Sequence, residues 1–357
     1  MNWRCVRHPS AGGAERLTQE VATRWVAQGH QVTLFTATYP GCLRQEIIDG
    51  VRIVRAGGKY SVYMRAFQYY TSEARENFDV VIDEINTIPF FAPLYVKQPV
   101  VSVIYQLARE FWLLEVPAPF SWVGYVIEPW YLRIYRNVPT VTISESGRQD
   151  MVKLGFRNVS MIPVGISFEP LQSISKTEDD PTILYIGRLE RAKRPCDAIR
   201  AFDIIKNRLP NAKLWIIGDG PIRGQLEDLA GQDVQFFGKV SDSEKLELMS
   251  RSHVLLVPYV REGWGLVVTE ANACGTPAIG YNVPGLKDSI RDGETGLLTP
   301  ENTPEALAKL TLELLQDNKL HHRLAQAALE WSREFNWDKT AEQFMRILDE
   351  VAEGRFN

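Results

Sequence analysis

The chain of 357 residues is short of several things, and each shortage excludes something. No uncharged apolar run reaches the roughly 18 residues of a membrane span, and no secretory signal is visible at the start. The four cysteines, Cys5, Cys42, Cys196 and Cys274, are scattered without metal or redox spacing, so they read as idle thiols in a reducing compartment. No Gly-x-Gly-x-x-Gly follows a strand-like run, which speaks against a dinucleotide dehydrogenase. There are five histidines, and only His8 lies in a loop that could border an active site. The net charge of −4 argues against a general nucleic-acid binder.

What the chain does have is length and alternation. At 45% hydrophobic and 24% charged residues it is a globular composition, long enough for two domains. Residues 1–165 carry 17 Lys/Arg against 14 Asp/Glu, so the rest of the chain is the acidic part. A mildly basic first half suits an anionic acceptor or an acidic membrane surface, and equally suits chance variation in surface charge.

Short strand-like runs alternate with helical ones, the pattern of α/β architecture. The runs are 31–36, 51–55, 79–83, 100–105 and 140–144 in the first half. In the second half they are 182–186, 213–217, 234–237, 253–257 and 278–281. Uninterrupted apolar runs such as Val254-Leu255-Leu256-Val257 predict parallel strands covered on both faces. Helices are expected over 15–28, 244–251 after the cap-like Ser241, within 303–335, and over 338–352. The polar, aperiodic stretch 167–180 reads as a linker. The expected domains are 1–166 and 181–335, with 336–357 as a separate terminal element. One oddity is the start: residues 1–6 are polar where such a sheet normally opens with an apolar strand, so either that strand is weak or the real start lies upstream.

The most informative stretch is Glu262-Gly-Trp-Gly-Leu-Val-Val-Thr-Glu270, where two carboxylates bracket a Gly-rich turn opening a helix. Gly263 and Gly265 let a ligand approach the backbone, and the first N–H groups of the helix can hold an anion. Glu270, two turns in, can accept from a ribose diol. The plainer reading is a loop–helix junction with two solvated carboxylates. Gly12 and Gly13 open the first helix in the same manner. Gly187-Arg188 to Lys193 joins a fork that grips two phosphate oxygens to a mobile cation, or is a solvated basic turn. Gly218-Asp219-Gly220-Pro221 is a turn after a strand. Asp83, Glu84, Asn86, Glu145 and Ser146 follow strand-like runs, where open α/β sheets collect ligands and where helix caps also sit.

These motifs resemble the Glu-x7-Glu signature of retaining glycosyltransferases of family 4 (GT4). The resemblance covers nearly the whole chain and is strongest over 182–300. It implies a GT-B fold: two Rossmann-like, doubly wound parallel-sheet domains facing a cleft, with a C-terminal helix crossing back to the first. It also implies a metal-independent hexosyltransferase with no permanent cofactor, moving a sugar from a UDP- or GDP-linked donor to a glycan, a lipid-linked acceptor or another hydroxyl. By the resemblance, Arg188 and Lys193 hold the donor diphosphate and Glu270 its ribose. Glu262 faces the sugar, while Gly187, Gly218, Gly220, Lys239, Gly263, Gly265 and Leu266 line the nucleotide site. The Gly12–Gly13 loop matches the family's Gly-Gly-Ala-Glu. The family commonly carries a catalytic His where this chain has Tyr105, a poor base near neutral pH. Front-face chemistry, with the leaving phosphate taking the acceptor proton, does not require one.

The segment 111–135 holds eight aromatics and Arg133, with Arg109 and Arg136 flanking it, which suits a membrane interface and equally an aromatic core. The expected location is cytoplasmic, with peripheral contact at the inner membrane face as a variant. Two rivals stay open: a degenerate scaffold that binds a nucleotide sugar without catalysis, and a sugar-nucleotide epimerase. The sugar, the base and the acceptor are not readable.

Overall fold

The computed structural model describes residues 1–75, 77–174 and 178–355. Residues 175–177 of the expected linker and 356–357 of the expected terminal element lie outside the described residues. The chain divides into two compact units. One comprises Met1–Arg109, Trp122–Gly165 and Asn336–Asn357, the other Glu110–Ser121 and Ile166–Phe335. Against the expected 1–166, Glu110–Ser121 and Ile166 fall in the second unit. The short helix Glu110–Glu115 is bound there through Glu115 Oε1, which accepts the Ala192 N–H at 2.7 Å, and through Glu110, which pairs with Arg261 at 2.7 Å.

The second unit is built on six parallel strands. Their spatial order is Val234–Gly238, Lys213–Ile217, Thr182–Ile186, Val254–Val257, Ala278–Tyr281 and Gly296–Thr299. Numbered along the chain this is the doubly wound order 3-2-1-4-5-6. Val254–Val257 and Thr182–Ile186 are buried at every position, as strands covered by helices on both faces must be. Helix Asp242–Arg251 starts where Ser241 Oγ accepts the Glu244 N–H, and Pro304–Gln316 where Thr303 Oγ1 accepts the Ala306 N–H. The 303–335 helical stretch is two helices, Pro304–Gln316 and Asn318–Ser332, because Asp317 caps the second with bonds to Lys319 and Leu320.

The first unit holds a parallel four-stranded sheet, Val81–Glu84, Val100–Val103, Thr140–Thr142 and Val159–Met161. Thr33–Thr36 pairs in parallel with Val51–Arg55, which closes an antiparallel hairpin with Gln45–Ile48. Residues 1–3 bridge the two sheets. Met1 nitrogen donates to Ile82 at 2.7 Å, and on the other side Asn2 N–H donates to Phe35 at 3.1 Å. The terminal helix Trp337–Ala352 buries Trp337, Ala341, Phe344, Leu348 and Val351 on one stripe. It packs on helix Gly13–Ala27, where Trp25 Nε1 donates to the Ala341 carbonyl at 3.0 Å and meets Phe344 edge-on at 5.2 Å.

Candidate active site

In the six-stranded sheet the chain order reverses between Thr182–Ile186 and Val254–Val257. Open α/β sheets bind ligands beyond the carboxyl ends of the strands at such a switch point. The loops leaving these two strands are the ones that carry Gly187 to Lys193 and Glu262 to Gly265.

The turn after Lys213–Ile217 approaches the first loop so closely that it requires glycine. Gly218, at φ +135°, has the Gly187 carbonyl so near that a β-carbon would lie 1.9 Å from it; at Gly220 one would lie 2.4 Å from the Leu189 carbonyl. The strand ends are stitched by Gly187 N–H to Ile217 (3.0 Å) and Gly218 N–H to Gly238 (2.8 Å). Arg188 is exposed and 3.3 Å from Glu190. Burial pushes the Glu190 carboxyl up, and the charges of Arg188 and Lys193 oppose that shift. Lys193 forms an ion pair with Glu262, its ammonium 4.3 Å from the centre of the Tyr259 ring. Tyr259 donates to the Ile186 carbonyl and Tyr185 to that of Lys193 at 3.1 Å, so two buried phenols hold the loop.

The second loop delivers the two carboxylates differently. Glu262 is half-buried and its N–H donates to Pro284 at 3.1 Å. Gly265, at φ +90°, turns the chain into helix Leu266–Ala273, and no side chain caps that helix. Gly263 is buried and Leu266 partly so. Glu270 is buried in the helix, and Lys245 Nζ lies 2.9 Å from both of its oxygens. Two cation–carboxylate pairs thus stand at one switch point. Lys239 follows strand Val234–Gly238 on an exposed position.

In the first unit the expected residues form a polar network. Glu84 Oε2 accepts from Asn2 Nδ2 (2.7 Å), Thr18 Oγ1 (2.7 Å) and Tyr105 Oη (2.8 Å). Burial pushes the Glu84 carboxyl up to about 7, although the nearby amino terminus and these hydrogen bonds favour the charged form. Tyr105 is itself buried, which drives its phenol well above the usual value. Asn86 donates to Asn2 at 2.8 Å. Asp83 accepts from the Phe90 and Ala92 N–H groups at 3.1 Å and from Tyr135, so it braces a loop. The Gly12 N–H donates to Glu15 Oε2 at 2.6 Å, and Glu15 also binds Arg4 at 2.9 Å. The helix therefore satisfies its first donor internally, and Gly13 beside it is exposed. His8 stacks edge-on to Tyr39 and accepts from Ser10. Glu145 is paired with Arg148, which holds its carboxyl down to about 2, and Ser146 is buried.

Residues 11–169 match the family model described as Glycosyltransferase Family 4, and residues 168–331 the model described as Glycosyl transferases group 1. The chain is a family 4 glycosyltransferase. It is 26% identical over 365 residues to a phosphatidyl-myo-inositol mannosyltransferase of Mycobacterium tuberculosis, covering 96% of this chain and 94% of that one. The protein of that name in Mycobacterium leprae is 30% identical over 237 residues, covering 64% of this chain and 62% of that one. In structure the chain is similar to a sucrose-phosphate synthase of Thermosynechococcus elongatus (TM-score 0.79, 22% identity, 98% and 96% covered), which gives the GT-B fold.

Several contacts around these loops were not legible in advance. Lys245 lies 25 positions before Glu270, and only helix packing joins them. Arg261 is next to the Glu262 motif, but its partner Glu110 is 151 positions away. Gly285, at φ +83°, would place a β-carbon 2.1 Å from the Glu262 carbonyl, a contact no local pattern announces.

Proposed function

We propose that this enzyme is a retaining glycosyltransferase that needs no metal ion and takes a UDP- or GDP-linked hexose. The observation that supports this most is the pairing of Lys193 with Glu262 and of Lys245 with Glu270 at the switch point of the second unit. Arriving diphosphate would take over Lys193, with Arg188 as the second cation, and so neutralise the leaving group. Freed from Lys193, Glu262 would accept from the sugar hydroxyls, and Glu270 would accept from the ribose. The leaving phosphate would receive the acceptor proton. Tyr105, buried and bound to Glu84, fits a supporting role in the first unit better than that of a base.

A lipid-linked acceptor is favoured by a second observation. Helix Phe120–Tyr131 turns Trp122, Val126 and Trp130 outward at 63%, 58% and 59% exposure, spaced four apart on one face. Its one acidic residue, Glu128, is buried and accepts the Ala108 and Arg109 N–H groups at 2.6 and 2.9 Å, which leaves that face uncharged. Arg133 stacks 3.9 Å from the centre of the Trp130 ring. Apolar aromatics edged by a cation suit the headgroup boundary of an anionic membrane. The phosphatidyl-myo-inositol named for the mycobacterial relatives is an acceptor of that kind.

The test is a thermal-shift panel of nucleoside diphosphates and nucleotide sugars, followed by transfer assays with the hit. One diphosphate should raise Tm by several degrees at a hundredfold excess over Kd. Transfer should persist in EDTA, keep the anomeric configuration and drop about 10²–10³-fold in Lys193→Ala. No shift with any diphosphate, or full transfer by Lys193→Ala, would overturn the assignment.

A further inference from the structure

Lys193 and Glu262 lie on different loops, and the ion pair between them is the contact that an arriving diphosphate would break. Other ties must then keep the two loops in place. Their backbones meet where the Val260 N–H donates to the Ala192 carbonyl at 3.1 Å. Further ties come from helix Glu110–Glu115. Glu115 Oε1 accepts the Ala192 N–H at 2.7 Å, and Glu110 Oε2 accepts from Arg261 Nε at 2.7 Å. Ala192 is the residue before Lys193, and Arg261 is the residue before Glu262. One short helix thus grips, with a carboxylate at each end, the backbone beside the lysine and the side chain beside the glutamate.

The two grips differ in weight. Ala192 is the middle residue of the 3₁₀ turn Arg191–Lys193. That turn closes with the Lys193 N–H on the Glu190 carbonyl at 3.1 Å, which leaves the Ala192 N–H for an acceptor outside it. Glu115 is brought to this donor across 77 positions, and its negative charge suits the start of a helical turn. Ala192 is 7% exposed, so an unmet donor there costs more than a lost surface contact. The Glu110 side chain is 47% exposed, so water screens its pair with Arg261 and that tie is the weaker. Trp112, buried between the two carboxylates, anchors the helix.

We propose that Glu115, with Glu110 in a lesser part, is a positioning residue of the donor site, holding Lys193 where a nucleoside diphosphate needs it whether or not Glu262 is paired. The inference rests on the reading of Lys193 as a diphosphate ligand. Glu115 touches no reacting atom; it acts through the backbone of the turn that carries the lysine. When diphosphate takes Lys193, the ion pair with Glu262 is lost, but the bond from Val260 and the two carboxylate grips stay. Without Glu115 the turn meets its buried donor only by moving toward water. Part of the diphosphate's binding free energy then goes into restoring the turn, and affinity falls.

The experiment titrates UDP and GDP calorimetrically into the full chain and its variants. For the diphosphate that binds, Glu115→Ala should weaken affinity about tenfold. Glu115→Asp keeps the charge but is a methylene short of the Ala192 N–H, and should lose at least about threefold while disturbing the fold least. Glu115→Gln keeps an acceptor oxygen at full reach and should stay within about twofold of the unchanged chain. In a Lys193→Ala background the further loss from either Glu115→Ala or Glu115→Asp should shrink below about twofold, because no lysine is left to place. A general packing fault would weaken both backgrounds alike. Equal losses in the two backgrounds, or unchanged affinity in Glu115→Ala and Glu115→Asp, would overturn the proposal. Undiminished binding by Lys193→Ala by itself, or binding of neither diphosphate by the full chain, would overturn the donor-site reading beneath it.

Discussion

Lys245 and Glu270 form a two-pronged pair: one ammonium lies 2.9 Å from each oxygen of a carboxylate that is 5% exposed. The pair joins helix Asp242–Arg251 to helix Leu266–Ala273. Removing the lysine takes one cation away from a buried carboxylate. Lys245→Met is expected to destabilise the protein by about 3 kcal/mol and to raise the donor KM more than it lowers kcat. Lys245→Arg should recover most of both. Urea unfolding and steady-state kinetics on the three proteins check this; a stable Lys245→Met with unchanged KM would show that the pair is idle.

Gly285 sets the height of the Glu262 loop. An alanine there meets the Glu262 carbonyl at 2.1 Å and adopts φ +83°, so either the loop or the turn must move. Gly285→Ala should cost about 3 kcal/mol and reduce transfer. Gly293→Ala is the matched control, with φ +75° but nothing within 4 Å of the new β-carbon, and should cost only about 1 kcal/mol with full transfer. Equal losses in the two variants would mean that the contact with Glu262 carries nothing.

Glu84 gives the first unit a pH dependence with a definite sign. Its carboxyl is raised from 4.5 to about 7 by burial, so the folded state binds the proton more tightly than the unfolded chain does. The stability this contributes is fully present below about 4.5 and is lost as pH rises through about 7. Unfolding free energy should therefore decline over that window. Glu84→Gln keeps an acceptor oxygen for Thr18 and Tyr105 but has no proton to lose, and should flatten the decline. Parallel slopes for the two proteins would place the titration elsewhere.

The outward face of helix Phe120–Tyr131 should bind membranes. Trp122→Ser with Trp130→Ser is expected to weaken sedimentation with anionic phospholipid vesicles at least about tenfold. Transfer to a short water-soluble acceptor should be unaffected. Equal co-sedimentation of the double variant would remove the membrane from the function.

Much of the architecture was legible because its signals are local. The ten strand-like runs became strands within a few residues, since apolar runs between turn residues can be buried only one way in a covered sheet. Three strands escaped. Gln45–Ile48 alternates on an exposed edge, although the Asp49-Gly50 turn after it, with φ +48° and +82°, is a hairpin signal in plain view. Val159–Met161 and Gly296–Thr299 are three and four residues long and sit at sheet edges.

The division between sequence and tertiary structure follows the range of the interactions. The left-handed turn at Gly265, the caps at Ser241 and Thr303, and the spacing of Glu262 from Glu270 act within one turn or loop, so the sequence alone determined the family and the loops that matter. Which charges meet was decided only by the fold. Lys193 finds Glu262 across 69 positions, Arg261 finds Glu110 across 151, and Tyr105 gives its hydroxyl to Glu84 across 21. Such pairs depend on strand order and helix packing, and no pattern along the chain encodes them.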